Sequence, residues 1–130
     1  MKKKLSILIL FLAMIFSSIN NAYSMSFEQA INASYSKPFA TLFYANWVDD
    51  YENYLKAFRA VSSSLNKSFN FVEINISTED VKYYNSKYPI YPNLPYVIMY
   101  KDGIKKSRHV PTSCIADVSC LSEKLRTFIQ

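Results

Sequence analysis

The sequence predicts an α/β fold: a central mixed sheet of four to five strands with helices on both faces. Three observations carry that prediction. The hydrophobic pattern switches repeatedly between a helical period and a strand period, in the order helix, strand, helix, strand, helix, strand, strand, helix. The run Phe39 to Tyr44 is apolar on both faces apart from Thr41, as a central strand covered by helices on two sides must be. An Asp-Gly pair, Asp102-Gly103, joins the last two strands as a tight hairpin.

The first residues stand apart from this pattern. Lys2, Lys3 and Lys4 form a positive start, Leu5 to Phe16 is an apolar run, and Ala22-Tyr23-Ser24 is a small-x-small triplet. This is the layout of a secretory signal peptide, with an apolar run too short for a comfortable membrane span. The expected organisation is a signal peptide over 1–24 and one domain over 25–130. Removing Lys2, Lys3 and Lys4 lowers the formal net charge from +5 to +2, so the basic balance belongs partly to the leader. So small a charge does not argue for nucleic acid. Half the chain is apolar and aromatic residues are abundant, which excludes a disordered chain, and the single glycine excludes a Gly-rich phosphate loop.

Ser26 caps the first helix, whose apolar face carries Phe27, Ala30, Ile31 and Tyr35; Lys37-Pro38 ends it, because the residue before proline avoids helical backbone. After the strand Phe39–Tyr44, Asp49-Asp50-Tyr51-Glu52 has the pattern of a capping box. Tyr51, Tyr54, Leu55, Phe58, Val61 and Leu65 then recur at steps of three and four as a buried stripe, with Lys56 and Arg59 facing away. Asn66 to Asn70 turns the chain into the strand Phe71–Ile76. Its alternation sets Phe71, Glu73 and Asn75 on one face and Val72, Ile74 and Ile76 on the other.

Ser77 or Thr78 caps a short helix with Glu79 and Asp80 in its first turn and Val81, Tyr84 and Tyr88 inward. Pro89-Ile90-Tyr91-Pro92-Asn93-Leu94-Pro95 is too proline-rich for regular structure. Tyr96–Tyr100 is a strand, Lys101-Asp102-Gly103-Ile104 a type I′ hairpin, and Ile104–Val110 the returning strand. Pro111 to Cys114 is a loop, and a last helix over 116–129 buries Val118, Leu121, Leu125, Phe128 and Ile129.

At four places the chain resembles the thioredoxin family: Lys37-Pro38 before the central strand, Ala45-Asn46-Trp47 leading a helix, Leu94-Pro95-Tyr96 entering a strand, and Lys101-Asp102-Gly103 in the hairpin. The resemblance covers nearly all of 26–130 and implies a thioredoxin-like fold lacking at most the first edge strand. It implies that Pro95 is a cis-proline facing the helix start. It also implies that the backbone of Leu94 pairs with an extended substrate peptide. The family's Trp-Cys-x-x-Cys motif is replaced by Trp47-Val48-Asp49-Asp50-Tyr51, and Leu42 occupies the position of a buried acid that handles protons in redox members. Thiol exchange needs a thiolate, and neither Val48 nor Tyr51 can supply one. The expected function is therefore a non-catalytic protein- or peptide-binding or chaperone-like module of the bacterial envelope, periplasmic or secreted. Its groove is formed by Trp47, Val48, Leu94, Pro95 and Tyr96.

Other constellations give weaker signals. Cys114 and Cys120 form an even pair in an exported chain, which reads as a structural disulfide. The competing function is a thiol–disulfide oxidoreductase using that displaced pair, and a third is a secreted factor acting on another organism. His109 with Cys114 and Cys120 matches no standard metal site, and no cofactor is implied. Lys101, Lys105, Lys106, Arg108 and His109 make the hairpin basic. That suits protection of an exposed sheet edge or, alternatively, an acidic partner. Glu73 reads as a carboxylate satisfied at a sheet end or a charge facing the candidate site. Tyr83, Tyr84, Tyr88, Tyr91 and Tyr96 crowd the segment around Pro95, divided between core and an aromatic binding surface.

Overall fold

The computed structural model describes residues 25–78 and 94–130. The expected signal peptide, the short helix after Thr78 and the tyrosines from Tyr83 to Tyr91 lie outside them. Within them the order is α1 (Phe27–Ala33), β1 (Phe39–Tyr44), α2 (Tyr51–Leu65), β2 (Asn70–Asn75), β3 (Tyr96–Lys101), β4 (Lys106–Val110), the single turn α3 (Thr112–Ile115) and α4 (Val118–Phe128). The strands form one mixed sheet in the order β2-β1-β3-β4. β1 is parallel to β2, from Phe39↔Asn70 to Tyr44↔Asn75, and antiparallel to β3, from Phe39↔Tyr100 to Phe43↔Tyr96. No helix of the described residues is long and apolar enough to cross a membrane.

β1 is central because both of its faces are greasy, and each face has its own core. Ala40 and Leu42 join Phe71, Val97 and Met99 beneath Leu55, Phe58 and Val61 of α2 and Leu121, Leu125 and Phe128 of α4. Phe39 and Phe43 join Val72, Ile74, Ile76, Ile98 and Tyr100 beneath Phe27 and Ala30 of α1. Phe39 stacks on Tyr100 with centroids 4.9 Å apart, and Phe27 meets both rings edge-on. Burying one such side chain contributes about 1.5–3 kcal/mol. The alternation expected for β2 holds: Phe71 faces the α2 side, Val72 and Ile74 the α1 side.

Several local expectations are corrected. α1 stops at Ala33, so Tyr35 is exposed instead of inward. The cause is Ser34, which is buried and latched to the hairpin: its Oγ accepts from Gly103 N at 2.8 Å and lies 3.0 Å from Gly103 O, and its carbonyl accepts from Asp102 N. Asp102 and Gly103 do adopt positive φ, 55° and 74°, as expected. The latch nevertheless widens the loop to four residues, so β4 begins at Lys106 and not Ile104.

The expected loop from Pro111 to Cys114 contains the helical turn α3, and α4 begins only at Val118, capped by Asp117, whose Oδ1 accepts from Cys120 N. Val118 and Ile129 are exposed there because both lie at the fraying ends of α4. Tyr51, Tyr54 and Leu65 of α2 are only partly buried.

Candidate functional site

The candidate site lies at the end of the sheet where β1 runs out. β1 ends at Tyr44 and a turn follows, closed by Val48 N donating to Ala45 O at 3.1 Å. Three polar groups fix this turn to the end of β2. Asn46 N donates to Ser77 Oγ, Asn75 Nδ2 donates to Asn46 Oδ1, and Ser77 N donates back to Asn75 Oδ1. Trp47 sits at the crest and is 58% exposed. Val48 turns inward and packs on the core cluster that holds Phe43, Ala45, Ile74 and Ile76.

β3 brings the second part of the site to the same end. Its pairing with β1 begins at Phe43↔Tyr96 and its pairing with β4 at Val97↔Val110. Leu94 and Pro95 therefore precede both ladders, beside the point where β1 departs. The Leu94–Pro95 peptide bond is cis, as the resemblance implied, and Pro95 is buried. Leu94 and Tyr96 pack on the same cluster as Val48. The structure thus brings together Val48, Leu94 and Tyr96, holds Pro95 between the latter two, and leaves Trp47 projecting beside Val48. His109, expected on the basic hairpin, meets Tyr96 edge-on at 5.4 Å.

The start of α2 differs from expectation. Asp50 is the N-cap residue, in left-handed backbone at φ 61°, and its side chain makes no capping bond. The Asp49–Glu52 capping box does not form, because a cap needs extended backbone for its oxygen to reach the helix amides, and the turn at Trp47 presents Asp50 in the wrong region. Asp50, Tyr51, Glu52 and Asn53 line an open recess of about 200 Å³.

Beneath this helix start lies a set of contacts that the sequence did not reveal. Tyr51 stacks on Tyr44, with centroids 6.2 Å apart and planes 5° from parallel. Glu73 is nearly buried and receives two bonds from Arg59, Nε to Oε2 at 2.9 Å and Nη2 to Oε1 at 2.8 Å. Arg59 therefore does not simply face away from the core; its guanidinium folds back onto the sheet and satisfies Glu73. No local signal joins Arg59 to Glu73, since one lies within α2 and the other on β2. Burial, then the Glu73 charge, raises the Tyr44 hydroxyl above the ordinary tyrosine value. Leu42, at the expected proton-handling position, is fully buried on this face.

Cys114 and Cys120 are joined in a disulfide, with Cα atoms 5.3 Å apart, tying α3 to the first turn of α4. Cys114 is 1% exposed, and Cys120 is partly buried against the same core. Among the described residues no cluster of three metal-ligating side chains occurs. On the hairpin, Lys101 is not free for a partner: its Nζ donates to Phe128 O at 2.9 Å and lies over the Phe128 ring. Lys105, Lys106, Arg108 and His109 are exposed on and beside β4, an edge strand.

Comparison with solved structures decides the fold. Chloroplastic thioredoxin z superposes with a TM-score of 0.60 over 81% of this chain and 91% of its own, at 18% identity. The fold is that of thioredoxin. The first thioredoxin domain of mouse protein disulfide-isomerase A4 matches at 0.62, covering 82% of this chain and 74% of that one at 15% identity. A thioredoxin of Malassezia sympodialis matches at 0.59, over 81% and 87%, at 16% identity. No protein-family model matches the chain, and no curated protein matches it significantly. On this thioredoxin fold the only cysteines are Cys114 and Cys120, both on the α3–α4 side and neither in the turn that carries Trp47.

Proposed function

We propose that this thioredoxin-fold domain is an exported, non-catalytic module of the bacterial envelope that binds extended polypeptide at Trp47, Val48, Leu94, Pro95 and Tyr96. The observation that carries the reading is the placement of Leu94 ahead of both strand ladders, packed on the same cluster as Val48, the chain neighbour of the exposed Trp47. A backbone segment with no strand partner among the described residues, next to apolar side chains, can take up an extended peptide by strand addition, with side-chain pockets supplying selectivity. No covalent step is needed. The surface is small, so affinity is expected to be micromolar or weaker, because ordering a flexible peptide offsets most of the contact energy.

An NMR titration with a reduced, alkylated and therefore permanently unfolded polypeptide tests this. Amide shifts should cluster at Trp47, Val48, Leu94 and Tyr96, and Trp47→Ala should weaken binding more than Lys105→Ala combined with Lys106→Ala. Shifts clustered from Lys101 to His109 instead would make the basic hairpin the binding face. The oxidoreductase reading draws on the Cys114–Cys120 bond, but the burial of Cys114 weighs against it, because exchange needs an accessible sulfur.

A further inference from the structure

The two edges of the sheet are guarded very differently. β4 carries Lys106 and Arg108 with Lys105 beside them, all exposed, and cations along an edge repel a second strand. β2, the opposite edge, reads Asn-Phe-Val-Glu-Ile-Asn and has none of these defences. It holds no proline and no lysine, and its six residues pair one-to-one with β1 without a bulge. Its single charge, Glu73, is neutralised by Arg59. Phe71, Val72 and Ile74 are buried under the helices, so the strand is held regular from both faces.

The open side of β2 can be assigned residue by residue. Asn70 N donates to Pro38 O and Ile76 N to Tyr44 O, so the even-numbered amides face β1. Backbone groups alternate sides along a strand, which turns the N–H and C=O of Phe71, Glu73 and Asn75 outward. The Asn75 carbonyl is already taken by Thr78, through both its amide and its hydroxyl. Phe71 and Glu73 are left as two outward rungs, and no described strand pairs with them.

We infer that the β2 edge is a self-association surface, and that its occupant is β2 of a second copy of this chain, antiparallel about a two-fold axis at Val72. In that register Phe71 of each copy faces Glu73 of the other. Both rungs exchange two N–H···O=C bonds, four in all, and Val72 lies opposite Val72. Charge favours a second copy: the Arg59–Glu73 pair leaves this edge neutral, and the half-exposed Arg59 stands on the sheet face that the partner's Glu73 would share. β4 does not favour pairing with itself in this way, because a two-fold axis at Ser107 would set Lys106 opposite Arg108 of the other copy. The pairing is isologous and closed, giving an eight-stranded sheet whose two outer edges are both the cationic β4.

The test combines light-scattering mass, from low micromolar to near-millimolar protein, with amide hydrogen exchange. Purified protein should reach twice the monomer mass at the upper end. The Phe71 and Glu73 amides should gain protection with concentration, while Val72 and Ile74 stay protected throughout. Glu73→Pro removes an outward donor, which an edge tolerates, and should remain monomeric; Glu73→Ala loses the same ion pair but keeps the amide and should still dimerise. Monomer mass at every concentration overturns the inference. So does protection of Phe71 and Glu73 that ignores concentration, or equal behaviour of the two variants. The exchange measurement on the unaltered chain stands even if Glu73→Pro does not fold.

Discussion

Tyr44 at the end of β1 and Tyr51 at the start of α2 lie face to face, their ring planes 5° from parallel. In the thioredoxin-family resemblance Tyr51 stands where the second cysteine of the redox motif would be. Its ring covers Tyr44, with Glu73 and Arg59 adding to the electrostatic surroundings of the Tyr44 hydroxyl. The start of α2 packs on the end of β1 through this pair.

That packing has a pH signature. Burial and the Glu73 carboxylate raise the Tyr44 hydroxyl above 10.0, so the folded protein holds this proton more tightly than the unfolded chain. The contribution is fully present below pH 10.0 and is lost as pH rises from there through the raised folded value. Tyr44→Phe should therefore show a shallower loss of stability in that alkaline window than the unaltered protein, measured by urea denaturation across pH. Parallel curves would mean that the hydroxyl titrates as if free.

Asp50 offers a second measurement. Its left-handed backbone costs a non-glycine residue on the order of 1 kcal/mol, and no capping bond offsets that cost. Asp50→Gly should raise stability by about 1 kcal/mol or less, part of the gain being lost to the freer unfolded chain. Asp50→Pro should destabilise, since proline is fixed near φ −65°. A double variant rebuilding the redox motif by Val48→Cys and Tyr51→Cys should exchange disulfides faster when Asp50→Gly is added, because a carboxylate beside a thiolate opposes its formation. Equal exchange rates would clear Asp50 of that role.

The Cys114–Cys120 bond is expected to be structural. Cys114→Ser should lower stability by about 2 kcal/mol, the value for so short a closed loop, with no change of fold by circular dichroism. The unaltered protein should reduce insulin no faster than background. Turnover that disappears with Cys114→Ser or Cys120→Ser would reinstate the oxidoreductase reading.

The sheet was legible in the sequence because its signals are periodic. Phe39–Tyr44 announces a strand buried on two faces, and Phe71–Ile76 announces its register by alternation. The cis bond at Pro95 followed from the family resemblance, and the pairing of Cys114 with Cys120 from their being the chain's two cysteines. What escaped depends on contacts made across the fold. Arg59 looks like a surface residue on a helical wheel until β2 places Glu73 beside it. The capping box at Asp49–Glu52 is a valid local pattern, overruled by the turn that Asn46, Asn75 and Ser77 impose. Tyr35 and the hairpin length depend on Ser34 reaching Gly103, a contact no window along the chain contains.

The position of β1 in the sheet also governs the order in which the molecule can be assembled. A chain made from its N-terminus presents Phe39 and Phe43 well before their partners Tyr100 and Tyr96, which lie far along the chain from them. Pairing with β2 covers one side of β1 but not the other, and the latch from Ser34 waits for Gly103. Contacts between such distant stretches form slowly, and until they form the apolar strand stays uncovered. Until β3 arrives, β1 is thus open on one side to any factor that handles unfolded chains.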